Sequence, residues 1–214
     1  MFLSAMWRPH PLLVGLVALF LFPITGTTPA SAQGQQSTQA DIRQMLEDRN
    51  QEIKSILSGS TDYSPEQRAR LKDLINGVID FRAMAATALG PHWDTLGTDR
   101  RDEFVTVFQD VVRAQSMSDL DVYNSKVTYD QITVQNDSAY VRTRTEYEGT
   151  QTPVEYVLKR RDEAWKAEDI IVDEVSTAEG YARSFQTVVR KRGFDALMKS
   201  LEKKRQEIAS KQSG

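Results

Sequence analysis

The chain offers little with which to do catalysis. It has no cysteine and two histidines, His10 and His92. Without a thiol, disulfide frameworks, cysteine-built zinc sites and cysteine nucleophiles are excluded. His92, beside Trp93, could act as a general base or stand as an ordinary histidine; a lone imidazole builds neither a histidine zinc cluster nor a triad with a spare. Carboxylates stand side by side at Asp102-Glu103, Asp162-Glu163 and Glu168-Asp169. Adjacent side chains diverge on helices and strands rather than converge on one atom, so these pairs read as solvated turns and helix surfaces. Asn136-Asp137-Ser138 matches a glycosylation acceptor and equally a hairpin turn. No glycine-rich phosphate loop is present. The expectation is a protein that is not an enzyme, with no catalytic residue, metal or cofactor.

What the sequence has in quantity is apolar faces, and the elements carrying them can be read in order. Ile42, Met45, Arg49, Ile53, Ile56 and Leu57 fall mostly at three- and four-residue steps, with Asp41 as a candidate N-cap. Ser64-Pro65-Glu66-Gln67 has the cap serine, first-turn proline and third-position glutamine of a helix start, and the helix runs through Leu71, Leu74, Ile75 and Val78. A short helix with Phe81, Met84, Ala85 and Leu89 must stop at Gly90-Pro91. From Thr98, the spacing of Phe104, Val107, Phe108, Val111 and Val112 predicts an amphipathic helix reaching about Tyr123.

From Ser125 the period changes to two. Val127–Val134, Ala139–Tyr147, Val154–Leu158 and Trp165–Val172 read as strands, separated by Asn136-Asp137, Glu148-Gly149 and Arg161-Asp162-Glu163. Val154, Tyr156 and Leu158 point one way, while Ile170-Ile171-Val172 offers apolar atoms to both faces. Ser176-Thr177-Ala178-Glu179 reads as a capping box restarting helix through Tyr181, Phe185, Val188 and Val189; Gly193 breaks it before a last helix with Phe194, Leu197, Met198 and Leu201. Helices, strands and helices in that order predict an α+β domain, an antiparallel sheet of about four to five strands under a helical layer, with N- and C-terminal helices. Periodicity alone leaves open whether its interior is a filled core or a lined cavity.

The 214 residues are 40% hydrophobic and 27% charged with a net charge of −3, a globular composition without the basic surplus of nucleic-acid binders. Residues 1–32 read as a secretory signal: Arg8, an apolar run from Leu12 to Phe22, then Ala30-Ser31-Ala32. That run spans only about 16 Å at ~1.5 Å per residue, half of a ~30 Å hydrocarbon core. Residues 33–40 read as a flexible leader, 41–206 as a single domain and 207–214 as a polar tail. Charge is uneven. Residues 183–214 carry nine basic and three acidic side chains, leaving a net −10 on residues 33–182. The basic end could dock on anionic lipid or an acidic partner, or be a solvated final helix favoured by its own dipole.

Val78-Ile79-Asp80-Phe81-Arg82-Ala83-Met84, Leu89-Gly90-Pro91-His92-Trp93 and Arg101-Asp102-Glu103-Phe104 with Phe108 resemble the MlaC family of periplasmic phospholipid-binding proteins, also called toluene tolerance proteins. Trp165-Lys166-Ala167-Glu168-Asp169-Ile170, Val175-Ser176, Tyr181 with Phe185, and Gly193-Phe194-Asp195-Ala196-Leu197 with Leu201 continue the resemblance in order. The sequence departs from that family at Ser116, where a tyrosine is usual, and at Ala182, where an arginine is usual.

The resemblance implies a fold like that of nuclear transport factor 2 and a phospholipid shuttle in the periplasm. Its implied partners are an inner-membrane ABC transporter with an MCE-domain subunit and an outer-membrane lipoprotein complex; the carrier is expected to be monomeric, with no nucleic acid and no cofactor, the phospholipid being cargo. Two acyl chains of about 28 methylenes, at ~0.8 kcal/mol each, make bare transfer through water cost roughly 20 kcal/mol, so a carrier must enclose the tails. On this reading Phe104, Phe108 and Val111 face the lipid from the long helix, with Val154, Tyr156 and Leu158 opposite. Phe81, Met84, Trp93, Ile171, Tyr181 and Phe185 complete the expected lipid-binding set. The alternatives are a periplasmic binding or adaptor protein for another hydrophobic compound, and an enzyme on the same cone-shaped fold.

Overall fold

The computed structural model describes residues 30–59 and 62–212. The expected signal lies outside them as far as position 29. Helix α1 (Ala30–Leu57) buries one stripe, Ile42, Leu46, Ile53 and Leu57. It begins well before Asp41, so residues 33–40, expected as a flexible leader, are helical instead. Glutamine and alanine are adequate helix formers, and extending an existing helix adds one hydrogen bond per residue fixed, so only Gly34 opposes the extension.

Helix α2 (Pro65–Asn76) starts as its sequence dictates: the Ser64 hydroxyl accepts from Gln67 N and the Gln67 side chain returns to Ser64 N at 2.9 Å. Its other end is closed by α1, where Arg49 donates to the Leu74 carbonyl at 2.7 Å. Helix α3 (Phe81–Leu89) is capped by Asp80, whose carboxylate accepts from Ala83 N at 2.9 Å. Gly90, at φ +54°, ends α3 where a Cβ would meet the Gln186 amide, and Pro91 opens the short α4 (Pro91–Asp94). Helix α5 (Thr98–Ser116) is shorter than its expected reach to Tyr123. The Ser116 and Ser118 hydroxyls donate to the Arg113 and Gln115 carbonyls, drawing the chain out of helix before a 3-10 turn over Asp121–Asn124.

Strands β1 (Lys126–Gln135), β2 (Ser138–Tyr147), β3 (Thr150–Arg161), β4 (Ala164–Val172) and β5 (Val175–Ser176) form an antiparallel sheet in sequence order. Two-residue loops join them, with positive φ at Asn136, Glu148, Gly149, Asp162, Asp173 and Glu174. Helix α6 (Thr177–Arg192) follows β5 directly, and α7 (Phe194–Gln212) runs through most of the expected polar tail. The capping box expected at Ser176 is half present. Ser176 Oγ accepts from Glu179 N, but Asp169 also accepts from Ser176 Oγ and from Ala178 N, placing a carboxylate at the positive end of α6.

The α+β expectation therefore holds, with three packed clusters. One is wholly helical, gathering α3, α5, α6 and α7 around Phe104 and Phe108. A second joins Ile42 and Leu46 of α1 to the sheet, and the third joins the rest of α1 to α2, Met117, Leu120 and Tyr123. Besides the bonds that Asp169 and the Ile170 carbonyl accept from the start of α6, helical layer and sheet are joined at the other end of β4, the tied margin. Ala167 N donates to Val78 O at 2.7 Å and Asp80 N to Ala167 O at 2.8 Å, while Arg161 Nε donates to Asp80 at 2.8 Å.

Candidate binding site

The strand register sorts the sheet's helix-facing side into cross-strand rows, and their burial changes steadily along the strands. Val134, Ala139, Leu158 and Ala167 form the first row, and all four are buried. In the second, Ile132, Val141, Tyr156 and Ile170, only Val141 is closed off. The third is Tyr129, Thr143, Val154 and Val172; Thr143 is still closed off, Val154 is half-buried and Val172 is 44% exposed, so the opening lies on the β3–β4 side. Val127, Thr145 and Thr152 in the fourth are half-buried. The face is thus covered at the tied margin and opens toward the β2–β3 turn, the shape of a wedge. The opposite face is polar, carrying the Arg142–Glu155 and Arg144–Asp130 ion pairs.

Three tyrosines mark the wedge. Tyr123 comes from the 3-10 turn, Tyr129 from β1 and Tyr156 from β3, and all are half-buried. Burial pushes the Tyr123 hydroxyl up to about 12, with Tyr156 and Asp119 adding to it. Burial likewise raises Tyr129, and burial alone raises Tyr156. Tyr129 and Tyr156 pack against the cluster beneath α1, and Tyr123 against the one between α1 and α2. Arg43 lies 5.1 Å over the Tyr129 ring and closes one side.

At the open end, Val172, Val175, Ser176 and Thr177 face Gly180, Tyr181, Ser184 and Phe185 of α6 across a groove of about 480 Å³. Its lining is chiefly apolar, and Val175 is 56% exposed at its lip. Tyr181 anchors the helical wall: its hydroxyl donates to Gln115 at 2.9 Å, its ring meets Phe108 edge-on at 4.9 Å, and burial raises its pKa.

The sequence-predicted residues separate into distinct environments. Phe81, Met84, Phe104, Phe108 and Val111 are packed in the helical cluster, where the Phe104 and Phe108 rings stack 5.7 Å apart. Tyr181 and Phe185 border that cluster and also line the groove. Val154 and Tyr156 lie on the open part of the sheet face, whereas Leu158, at 1% exposure, lies in its closed row. Trp93, on α4, packs against the edge of the helical cluster beneath the Arg82 and Arg101 guanidinium groups. Ile171 projects to the polar side, paired with Glu155. A bulge at Glu168, which has no partner on β3, shifts the alternation of β4 so that Ile170 and Val172 face the helices instead.

Several lining residues escaped sequence reasoning. Tyr123 was hidden by the expected extension of α5. Val175 follows the Asp173-Glu174 turn, which lacks the asparagine or glycine that signals a hairpin; two valines flanking it were the only cue.

The site is a concave apolar recess with polar hydroxyls within it, suited to enclosing a molecule with an extended hydrocarbon part. Residues 36–203 match the sequence profile of the family described as MlaC protein. Among solved structures, the phospholipid-binding protein from Ralstonia solanacearum, in complex with a phospholipid, is similar with a TM-score of 0.66 and 20% identity, covering 80% of this chain and 98% of that one. No match was found among curated proteins.

Proposed function

The chain belongs to the MlaC protein family, and from that premise we propose that it binds a phospholipid with its acyl chains in the wedge between sheet and helices and carries it through the periplasm. The single observation that carries this reading is the graded opening of the helix-facing sheet side from the buried Leu158 row to the exposed Val172, ending in the groove below Tyr181 and Phe185. A filled core has no reason to leave valines uncovered on the face it should bury. The groove of about 480 Å³ lies within the roughly 300–1,000 Å³ of small-molecule sites.

The mechanism is enclosure. Tails at Val154, Tyr156, Ile170 and Val172 exchange water for side chains, while the headgroup stays at the groove's lip. The tyrosine hydroxyls remain protonated at neutral pH and can donate to ester or phosphate oxygens. The Ralstonia solanacearum protein, which has the same fold, was solved with a phospholipid. Cargo would pass between an inner-membrane ABC transporter with an MCE-domain subunit and an outer-membrane lipoprotein complex, carried by a monomer released from its signal after Ala32. Organic extraction and mass spectrometry of periplasmic protein should find glycerophospholipid close to one per chain. A lipid-free protein that also takes none from vesicles would overturn carriage and favour an adaptor for another compound.

A further inference from the structure

We propose that the basic stripe of α6 docks the protein on an anionic bilayer surface with the groove turned toward that surface. Residues three and four apart share a helix face, which places Arg183, Thr187 and Arg190 in one row and Gly180, Ser184, Thr187 and Lys191 in the next. The second row begins with groove-lining residues. Arg183 and Arg190, with Glu179, Ala182, Gln186 and Thr187, line a neighbouring depression of about 430 Å³, two cations against one carboxylate. The cations therefore flank, on the α6 side, the opening that exposes Val172 and Val175, whose other lip carries the exposed Asp173 and Glu174.

Of these cations only Arg183 has an acidic partner among the described residues, Glu179. Arg183, Arg190, Lys191 and Arg192 are all exposed. Arg183 only approaches Glu179, at 3.9 Å between two well-exposed side chains, and Arg190 bonds the Thr187 hydroxyl. Among the described residues no carboxylate pairs with Arg190, Lys191 or Arg192. Elsewhere on the surface arginines are matched, as in Arg70–Glu52, Arg142–Glu155, Arg144–Asp130 and Arg161–Asp80. The long-range field adds direction: residues 183–214 carry +6 and residues 33–182 carry −10. A negative surface repels the body and attracts this end, orienting the molecule before contact. Cations bordering exposed aliphatic side chains suit a lipid interface, where headgroup charge and apolar depth lie together. An acidic protein surface would match the charge alone and not the apolar lip at Val175.

The inference rests on the carriage reading for the meaning of the groove, and its test separates the two. The full exported protein is sedimented with phosphatidylcholine vesicles and with vesicles about a third phosphatidylglycerol. Binding is expected to the anionic vesicles alone and to disappear at high salt, as screening shortens from ~10 Å at 0.1 M to ~3 Å at 1 M. Arg183→Gln/Arg190→Gln/Lys191→Gln should weaken it about 100-fold, with bound phospholipid unchanged, and Lys126→Gln on β1 should leave it intact. Equal binding by the triple variant, an equal loss in Lys126→Gln, or a wild type that ignores both vesicles while held by immobilised polyglutamate would overturn docking. A lipid-free protein that docks as expected would overturn carriage alone; a phospholipid-loaded protein indifferent to anionic vesicles would overturn docking alone.

Discussion

Truncating Leu158 and Val154 separately tests whether the sheet face is a wedge or a core. The two residues point to the same side of β3 four positions apart, but Leu158 is 1% exposed between Ala139 and Ala167, whereas Val154 is half-buried beside Val172. The alanines flanking Leu158 have no atoms to swing into a hole. Leu158→Ala should therefore cost about 3 to 5 kcal/mol through lost transfer energy and a persistent cavity. For a domain of this size that is a fall in Tm of about 6 to 20 °C, at ~2–4 °C per kcal/mol. Val154→Ala removes two carbons from a face already reached by water and should cost about 1 kcal/mol or less. With lipid the order reverses. On the proposed reading Val154 contacts the tails, and losing about 1 kcal/mol of contact raises the phospholipid dissociation constant about fivefold. The assay is thermal unfolding of the delipidated proteins beside phospholipid content per chain by mass spectrometry. Delipidation is needed because a ligand at ~100 times its Kd adds about 2.7 kcal/mol to every variant that binds it. If delipidated Val154→Ala is destabilised as much as Leu158→Ala, the face is filled and the wedge reasoning fails.

Other perturbations probe the elements that hold the site. Asp80→Ala removes the α3 cap and the Arg161 partner together and should cost about 1–2 kcal/mol, read as a lower urea midpoint; an unchanged midpoint would deny the tie any energetic role. Gly90→Ala forces a side chain into φ +54° and against Gln186, and should lose about 1–3 kcal/mol in the same titration, with no loss counting against the strain. The raised tyrosines set an alkaline limit. Unfolded tyrosines ionise near pH 10, whereas Tyr123 holds its proton to about 12 and Tyr129, Tyr156 and Tyr181 are also raised, so their contribution is complete below pH 10 and lost as the pH climbs past that toward 12. Absorbance titration should show Tyr123, Tyr129, Tyr156 and Tyr181 ionising above pH 10 in folded protein, with Tyr140 and Tyr147 raised as well; tyrosine ionisation complete near 10 would contradict the recess.

Local signals carried through wherever they were chemically complete. The Ser64-Pro65-Glu66-Gln67 start, the Gly90-Pro91 stop and the alternation of β2 and β3 appear as read, because each is decided within a few residues. What failed to show was set by distant partners. Phe104 and Phe108 have the spacing of a buried face, but spacing does not say whether that face meets the sheet or α6 and α7, and it meets the latter. The bulge that sends Ile171 outward is a mismatch between two strands, visible in neither alone. Arg49 falls in the spacing series of α1 with no sign of a partner; its function as the closure of α2 depends on a helix beginning sixteen residues later.

The bonds among Val78, Asp80, Ala167 and Arg161 make the tied margin the spine of a book whose covers are the sheet and the helical layer. A spine at one edge is a lever. From Leu158 to Thr152 the strand runs about 20 Å at ~3.4 Å per residue, so a rotation of roughly 15° about the spine parts the free edges by about 5 Å, one hydrocarbon chain's width. Every hydrogen bond of the sheet's own ladder survives such a turn, and the row at Leu158 barely moves. Volume for the cargo can then be created toward the β2–β3 turn, while Asp169 and the Ile170 carbonyl keep the start of α6 bonded to β4. Amide exchange should report the difference as slow pages near the spine, at Ala167 and Asp80, and faster ones at the fore-edge, around the β2–β3 turn.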